Sequence, residues 1–124
     1  MNRSTRGKRK ITEKLLEGVA HRLRAMGSPI RLRILHALED GELSVTDILL
    51  QVRTSQANVS KHLTVLRAAG LVKSRRNGVS VYYGIADPIV LVICRSMCDV
   101  ILRQANDHAE ELGLPEGVRL RAAE

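Results

Sequence analysis

The feature that most restricts the fold is a pair of helix-starting serines, Ser44 and Ser55, with room between them for one short helix and a turn. Ser44-Val-Thr-Asp47 is a capping-box pattern: the hydroxyl can bond the first-turn backbone and the acid favours the positive helix end. It predicts a short helix over about 45–51. Val52-Arg53-Thr54 then reads as a turn, and Ser55 as the cap of a helix reaching about Ala69. Two short helices joined so briefly form a helix-turn-helix. In the second of them Val59, Leu63 and Leu66 are spaced to pack inward, which leaves Gln56, Asn58, Ser60, Lys61, His62 and Arg67 mostly outward.

The flanking segments complete the pattern. Ile11, Leu15, Leu16, Val19, Leu23 and Met26 recur at helical spacing, predicting a first helix over about 12–25 that ends at Gly27. Ser28-Pro29 starts a second, whose apolar face of Ile30, Ile34, Leu35 and Leu38 puts Arg31, Arg33 and His36 mostly outside it. Asp40-Gly41 is expected to stop it. After Gly70 the period changes to two, with Val79, Val81, Tyr83 and Ile85 alternating against Ser80, Tyr82 and Gly84. Asn77-Gly78 predicts a type I′ hairpin, with Leu71 to Arg76 as partner strand and Arg75 and Arg76 near the tip. Asp87-Pro88 opens a last helix to about Leu112, apolar on more than one face. Its second face needs a cover, most simply the same helix of a two-fold-related subunit. The expected fold is therefore mainly α with a β-hairpin wing, in the order α-α-α-α-β-β-α: a winged helix-turn-helix. Residues 11–112 form the domain, 1–10 a basic flexible arm and 113–124 a loose tail.

The composition fits one folded domain, with 124 residues, 44% of them hydrophobic and 27% charged. Tyr82 and Tyr83 are the only aromatic residues, so an aliphatic core is expected, and base stacking or cation–π chemistry is not expected as the mode of recognition. Lys and Arg total 20 against 13 Asp and Glu, a net charge of +7 that suits a polyanionic partner. Arg3, Arg6, Lys8, Arg9 and Lys10 crowd the start, where a solvated arm and an arm contacting phosphate both stay open. No apolar run is long enough for a membrane span, and early charges argue against a signal peptide, so a cytoplasmic protein is expected. Cys94 and Cys98 are too few for a disulfide framework. The chain carries no Gly-rich phosphate loop, metalloprotease motif or assembled nucleophile, and His21, His36, His62 and His108 are scattered; an enzyme is not expected.

Amides and a hydroxyl near the start of a helix are suited to base edges in a major groove. Gln56, Asn58 and Ser60 are assigned to base contact, and Thr54, Lys61, His62 and Arg67 to the DNA backbone or to orientation. Any surface helix shows outward polar residues. A basic hairpin and a basic chain tip the reading towards DNA, and Arg75 and Arg76 are assigned to an adjacent groove or phosphate. The alternative, a winged-helix module that docks a protein, would more often display aromatic anchors.

Met26-Gly-Ser-Pro-Ile-Arg-Leu-Arg-Ile-Leu35, Glu42-Leu-Ser-Val-Thr-Asp47, Ser55-Gln-Ala-Asn-Val-Ser-Lys-His-Leu63, Leu66-Arg-Ala-Ala-Gly-Leu-Val72 and Val81-Tyr-Tyr83 resemble the ArsR/SmtB family of bacterial repressors. The resemblance implies a homodimer joined through its first and last helices, bound to double-stranded operator DNA and released by a small effector. Family members that sense arsenite or cadmium carry Cys-Val-Cys where this chain has Ser44-Val-Thr46, so that site is absent. Of the family's zinc ligands only His108-x-x-Glu111 is matched; Arg95 and Met97 fall at the other two positions.

Cys94 and Cys98 stand four apart, on one face of the last helix. Thiolates there suit arsenite, copper(I) or a similar metal or metalloid ion as effector, and an exposed pair suits oxidants or sulfur species. Two thiolates are one fewer than trigonal arsenite prefers, and a disulfide at this spacing strains a helix. Pairing across subunits and plain packing in an apolar seam are the competing readings.

Overall fold

The structure, a computed structural model, describes residues 9–115. Arg3, Arg6 and Lys8 of the basic arm, and the tail beyond Pro115, lie outside the described residues.

Each helix starts where a side-chain oxygen can take a first-turn amide. Thr12 Oγ1 accepts from Leu15 N at 3.1 Å to open α1 (Glu13–Met26), and Ser28 Oγ accepts from Arg31 N at 3.4 Å to open α2 (Pro29–Ala37). Ser44 accepts from Asp47 N at 3.2 Å to open α3 (Val45–Gln51), and Ser55 from Asn58 N at 3.1 Å to open α4 (Gln56–Ala68). The Asp47 carboxylate makes no capping hydrogen bond, so half of the expected box is formed. Asp87 Oδ1 accepts from Ile89 N at 2.9 Å as α5 (Ile89–Glu111) begins. Caps of this kind contribute about 1 kcal/mol each. The second helix stops at Ala37, ahead of the expected Asp40-Gly41.

The sheet departs from the sequence reading in three ways. A strand not foreseen, β1 (Leu43–Ser44), joins β2 (Val72–Asn77) and β3 (Ser80–Ile85) in the order β1-β3-β2, with Leu43 opposite Tyr83 and Ser44 opposite Tyr82. Two residues are too few to show an alternating pattern, and the capping serine masks them. The hairpin turn is not type I′. Asn77 pairs with Ser80, so Gly78 and Val79 are the central residues; Gly78 has φ +64°, and among the described residues no side-chain-bearing residue has positive φ. A glycine alone at positive φ in the first central position is the type II′ pattern. Finally, the alternation along the last strand fails at both ends: Val79 is fully exposed at the tip, whereas Gly84 is buried beneath Glu42, whose Cγ a Cβ at Gly84 would meet at 3.1 Å.

The centre of the molecule is aliphatic. Ile34, Leu35 and Leu38 from the second helix region, Ile48 and Val52 from the third, and Val59, Leu63 and Leu66 from α4 are essentially inaccessible. Among the described residues no polar or charged residue is buried with them. Of the last helix only Val90 and Ala109 are buried, and its Val92, Ile93, Met97 and Ile101 are exposed, as are Leu15, Leu16, Val19 and Leu23 of α1. An apolar groove of about 580 Å³ runs between these helices, bordered by Leu23, Met26, Leu91, Cys94, Met97 and Cys98. Among the described residues no helix is long and apolar enough to cross a membrane.

Leu63→Ala is expected to cost about 2–5 kcal/mol, because it opens a cavity in a fully packed site, whereas Leu50→Ala, at a residue 78% exposed, is expected to change stability by under about 0.5 kcal/mol. Urea unfolding of both variants checks the contrast.

Candidate nucleic-acid interface

Burial of Val59, Leu63 and Leu66 fixes the rotation of α4 about its axis, and the opposite face is left outward. Gln56, Ser60, Lys61 and Arg67 are exposed there, and among the described residues their side chains make no hydrogen bond or ion pair. Asn58 and Thr54 are only half-exposed, because Asn58 Nδ2 donates to Thr54 Oγ1 at 2.9 Å. An amide nitrogen carries two hydrogens, so one N–H and the carbonyl oxygen of Asn58 remain for an external partner.

His62 is also half-buried, turned towards α2. Arg31 Nη1 lies 3.1 Å from His62 Nδ1. A guanidinium has no acceptor, so it donates, Nδ1 accepts, and the ring is neutral with its proton on Nε2. Burial holds the imidazole below its ordinary pKa, and the positive charges of Arg31 and then Lys61 push the same way. Arg31 lies outside the apolar face of the second helix, as its spacing implies, and its guanidinium reaches back to α1 and across to α4. Nothing in the local periodicity signals this contact.

The two wing arginines differ. Arg75 Nε donates to Glu42 Oε2 at 2.7 Å, and its guanidinium sits 5.0 Å from the centre of the Tyr82 ring. Arg76, next to the tip, is exposed and has no partner among the described residues. A half-exposed pair like Arg75–Glu42 is worth little in water, so Arg75 can exchange the carboxylate for another anion at small cost. Arg53, in the turn leading into α4, is a further exposed cation with no partner among the described residues. Its charge and its place in the turn before Ser55 are legible in the sequence, but only the fold shows that no carboxylate reaches it among the described residues.

The two cysteines are unequal. Cys94 is half-buried against the core, and burial, with Cys98 beside it, raises its thiol pKa; Cys98 is exposed. Both border the apolar groove. Arg95 forms an ion pair with Glu39, which also lies 3.2 Å from His36 Nδ1, tying α5 to the turn after α2. His108 and Glu111 stand 3.9 Å apart on the exposed end of the last helix. Among the described residues no three His, Cys, Asp or Glu side chains gather to hold a metal. With Arg95 engaged by Glu39 and Met97 a thioether, the residues do not fit a resident zinc of the family's last-helix type.

His62 has a depressed folded pKa against about 6.5 unfolded. Between those values the unfolded chain binds more protons, so this group's contribution is complete above about pH 6.5 and is lost as pH falls through the folded pKa. The expectation is that His62→Gln flattens the loss of stability seen on going from pH 7 to pH 5. Unfolding curves at matched ionic strength check it, and an unchanged slope would remove His62 as the cause.

Residues 28–74 match the sequence profile of bacterial regulatory proteins of the arsR family. The chain is 41% identical over 75 residues to a transcriptional repressor SmtB homolog of Synechocystis, an alignment covering 60% of this chain and 57% of that protein. It therefore spans under two thirds of that relative's length. Among solved structures it is similar to Rv0081 of Mycobacterium tuberculosis, with TM-score 0.71 and 32% identity over 79% of this chain and 99% of that one. It is likewise similar to a homodimeric winged helix-turn-helix DNA-binding domain from Mycobacterium bovis, described as a possible ArsR-family regulator, with TM-score 0.68 and 30% identity over 83% of this chain and 94% of the other. The Synechocystis protein is described as a transcriptional repressor and the Mycobacterium bovis one as a DNA-binding domain, neither as an enzyme. With five helices and a hairpin wing among the described residues and the family's sequence pattern across its centre, the chain belongs to the ArsR family of winged helix-turn-helix bacterial regulatory proteins.

Proposed function

We propose that the protein is a homodimeric, cytoplasmic transcriptional repressor that sets α4 in the major groove of double-stranded operator DNA, with the wing alongside. The observation that carries this reading is the outward face of α4: exposed amide, hydroxyl and cationic side chains of Gln56, Ser60, Lys61 and Arg67 without partners among the described residues, on a helix locked from behind by a fully buried apolar face. In this reading Gln56, Asn58 and Ser60 meet base edges, while Thr54, Lys61, His62, Arg67, Arg75 and Arg76 meet phosphates or hold the orientation. The uncovered apolar residues of the first and last helices support a two-fold seam between subunits, and the Mycobacterium bovis neighbour is a homodimer.

Release from the operator is assigned to a thiol-reactive effector acting at Cys94 and Cys98, a metal or metalloid ion or a redox or sulfur species. The exposure of Cys98 and the position of both sulfurs along the groove support it. A second reading, structural cysteines in a repressor without a metal site, is favoured by the packing of Cys94 against the core and its raised pKa.

The test starts from a duplex selected by binding out of a random pool. Gln56→Ala and Asn58→Ala are each expected to cost about 1–3 kcal/mol on the selected duplex and little on random DNA, and Lys61→Ala to weaken both alike and lower the salt slope by about 0.9. Equal losses on both duplexes for the amide variants would sink the base-reading assignment, and binding indifferent to salt would favour the protein-docking alternative. For release, the Cys94→Ser, Cys98→Ser double variant is expected to hold DNA in the presence of arsenite, copper(I), peroxide or polysulfide that displaces the unmodified protein. Normal displacement of the double variant would make the thiols structural.

A further inference from the structure

The contact between Arg31 and His62 has more order than a surface pair. The guanidinium is held at three points: Nε donates to the Ala25 carbonyl, Nη2 to the Arg24 carbonyl at 3.4 Å, and Nη1 to His62 Nδ1 at 3.1 Å. Both carbonyls belong to the C-terminal end of α1, which carries partial negative charge, and the Arg24 carbonyl also accepts from Gly27 N at 3.1 Å. Arg31 has no carboxylate partner among the described residues, so a helix end takes the place of one. A planar fork anchored this way can present its remaining N–H groups in only one direction.

That direction settles the state of His62. With Nδ1 accepting from Arg31, the ring keeps its proton on Nε2, and Nε2 makes no hydrogen bond within the described residues. One uncharged, directed donor is therefore left over on α4. It lies past the first turn of the helix and half-buried against α2, set back from the N-terminal residues that reach base edges.

We propose that Arg31 is a positioning residue for DNA binding: it locks His62 as the Nε2–H tautomer, so that this N–H donates to a phosphate oxygen of the duplex. The inference rests on α4 being the DNA-facing helix, and it goes beyond that reading by assigning a role to a residue of the second helix that touches no DNA itself. A base acceptor such as a purine N7 offers the same chemistry, and the arms of the test separate the two sources.

The experiment uses the full chain with nitrogen-15-labelled histidine, above pH 7, together with anisotropy titrations on the selected duplex and on random-sequence duplex. The unmodified protein is expected to show His62 as a single Nε2–H tautomer, and Arg31→Gln to convert it to a mixture. Arg31→Gln and His62→Ala are each expected to weaken binding to both duplexes about tenfold, the effect of losing one hydrogen bond to a charged group, and the double variant to fall no further. The proposal is overturned by an unchanged tautomer in Arg31→Gln, by losses that multiply in the double variant, or by a loss confined to the selected duplex, which would move the N–H to a base edge. Should Arg31→Gln not fold, His62→Ala still decides, since undiminished binding by it leaves the N–H without a role. If the unmodified chain binds neither duplex, the DNA reading itself fails, and the ring signals alone distinguish that failure from loss of the Arg31 contact.

Discussion

Everything in this molecule depends on the packing of Val59, Leu63 and Leu66 among Ile34, Leu35, Leu38, Ile48 and Val52. These side chains are aliphatic, and among the described residues none of the buried ones is polar. Burial of apolar area is non-directional, so shape and spacing alone orient the helix. Turning α4 by one residue would bring Ser60 or Thr64 into the core without partners and expel a leucine, both costly changes. The apolar face is thus what aims the polar one.

Seven of the basic residues around that core and along the outward face fall into two sets. Arg31, Arg75 and Arg95 are engaged within the chain, by helix-end carbonyls, by Glu42 and by Glu39 respectively. Arg53, Lys61, Arg67 and Arg76 are exposed and have no ion-pair partner among the described residues. The net charge of +7 attracts a polyanion at long range whatever its distribution, but of these seven residues only the second set can neutralise phosphate without first giving up a contact. The wing shows both cases within two adjacent residues.

The last helix links the unsatisfied part of the surface to this arrangement. Only Val90 and Ala109 of it are buried, and the Arg95–Glu39 pair ties it to the end of the second helix, whose Arg31 in turn bears on α4. The apolar groove along it therefore adjoins, through two side-chain contacts, the helix that carries the outward chemistry.

How much of this was legible in the chain follows from the range of each interaction. The helix starts, the inward and outward faces of α4 and the existence of a wing were readable because they depend on neighbours within one turn or on a period of 3.6 or 2. So was the resemblance carried by the central motifs. The third strand, the turn type, the difference between Arg75 and Arg76 and the unequal cysteines were not, because each is set by a segment remote in sequence. Arg75 meets Glu42 across 33 positions and Arg95 meets Glu39 across 56. Arg31 illustrates the limit best: periodicity puts it outside the apolar stripe, and only the fold shows that its guanidinium meets His62, 31 residues away. Sequence alone determined which faces could be buried, since hydrophobic spacing is a local property; only the tertiary structure decided which charges stay free, since that depends on which carboxylates and carbonyls the packing brings within reach.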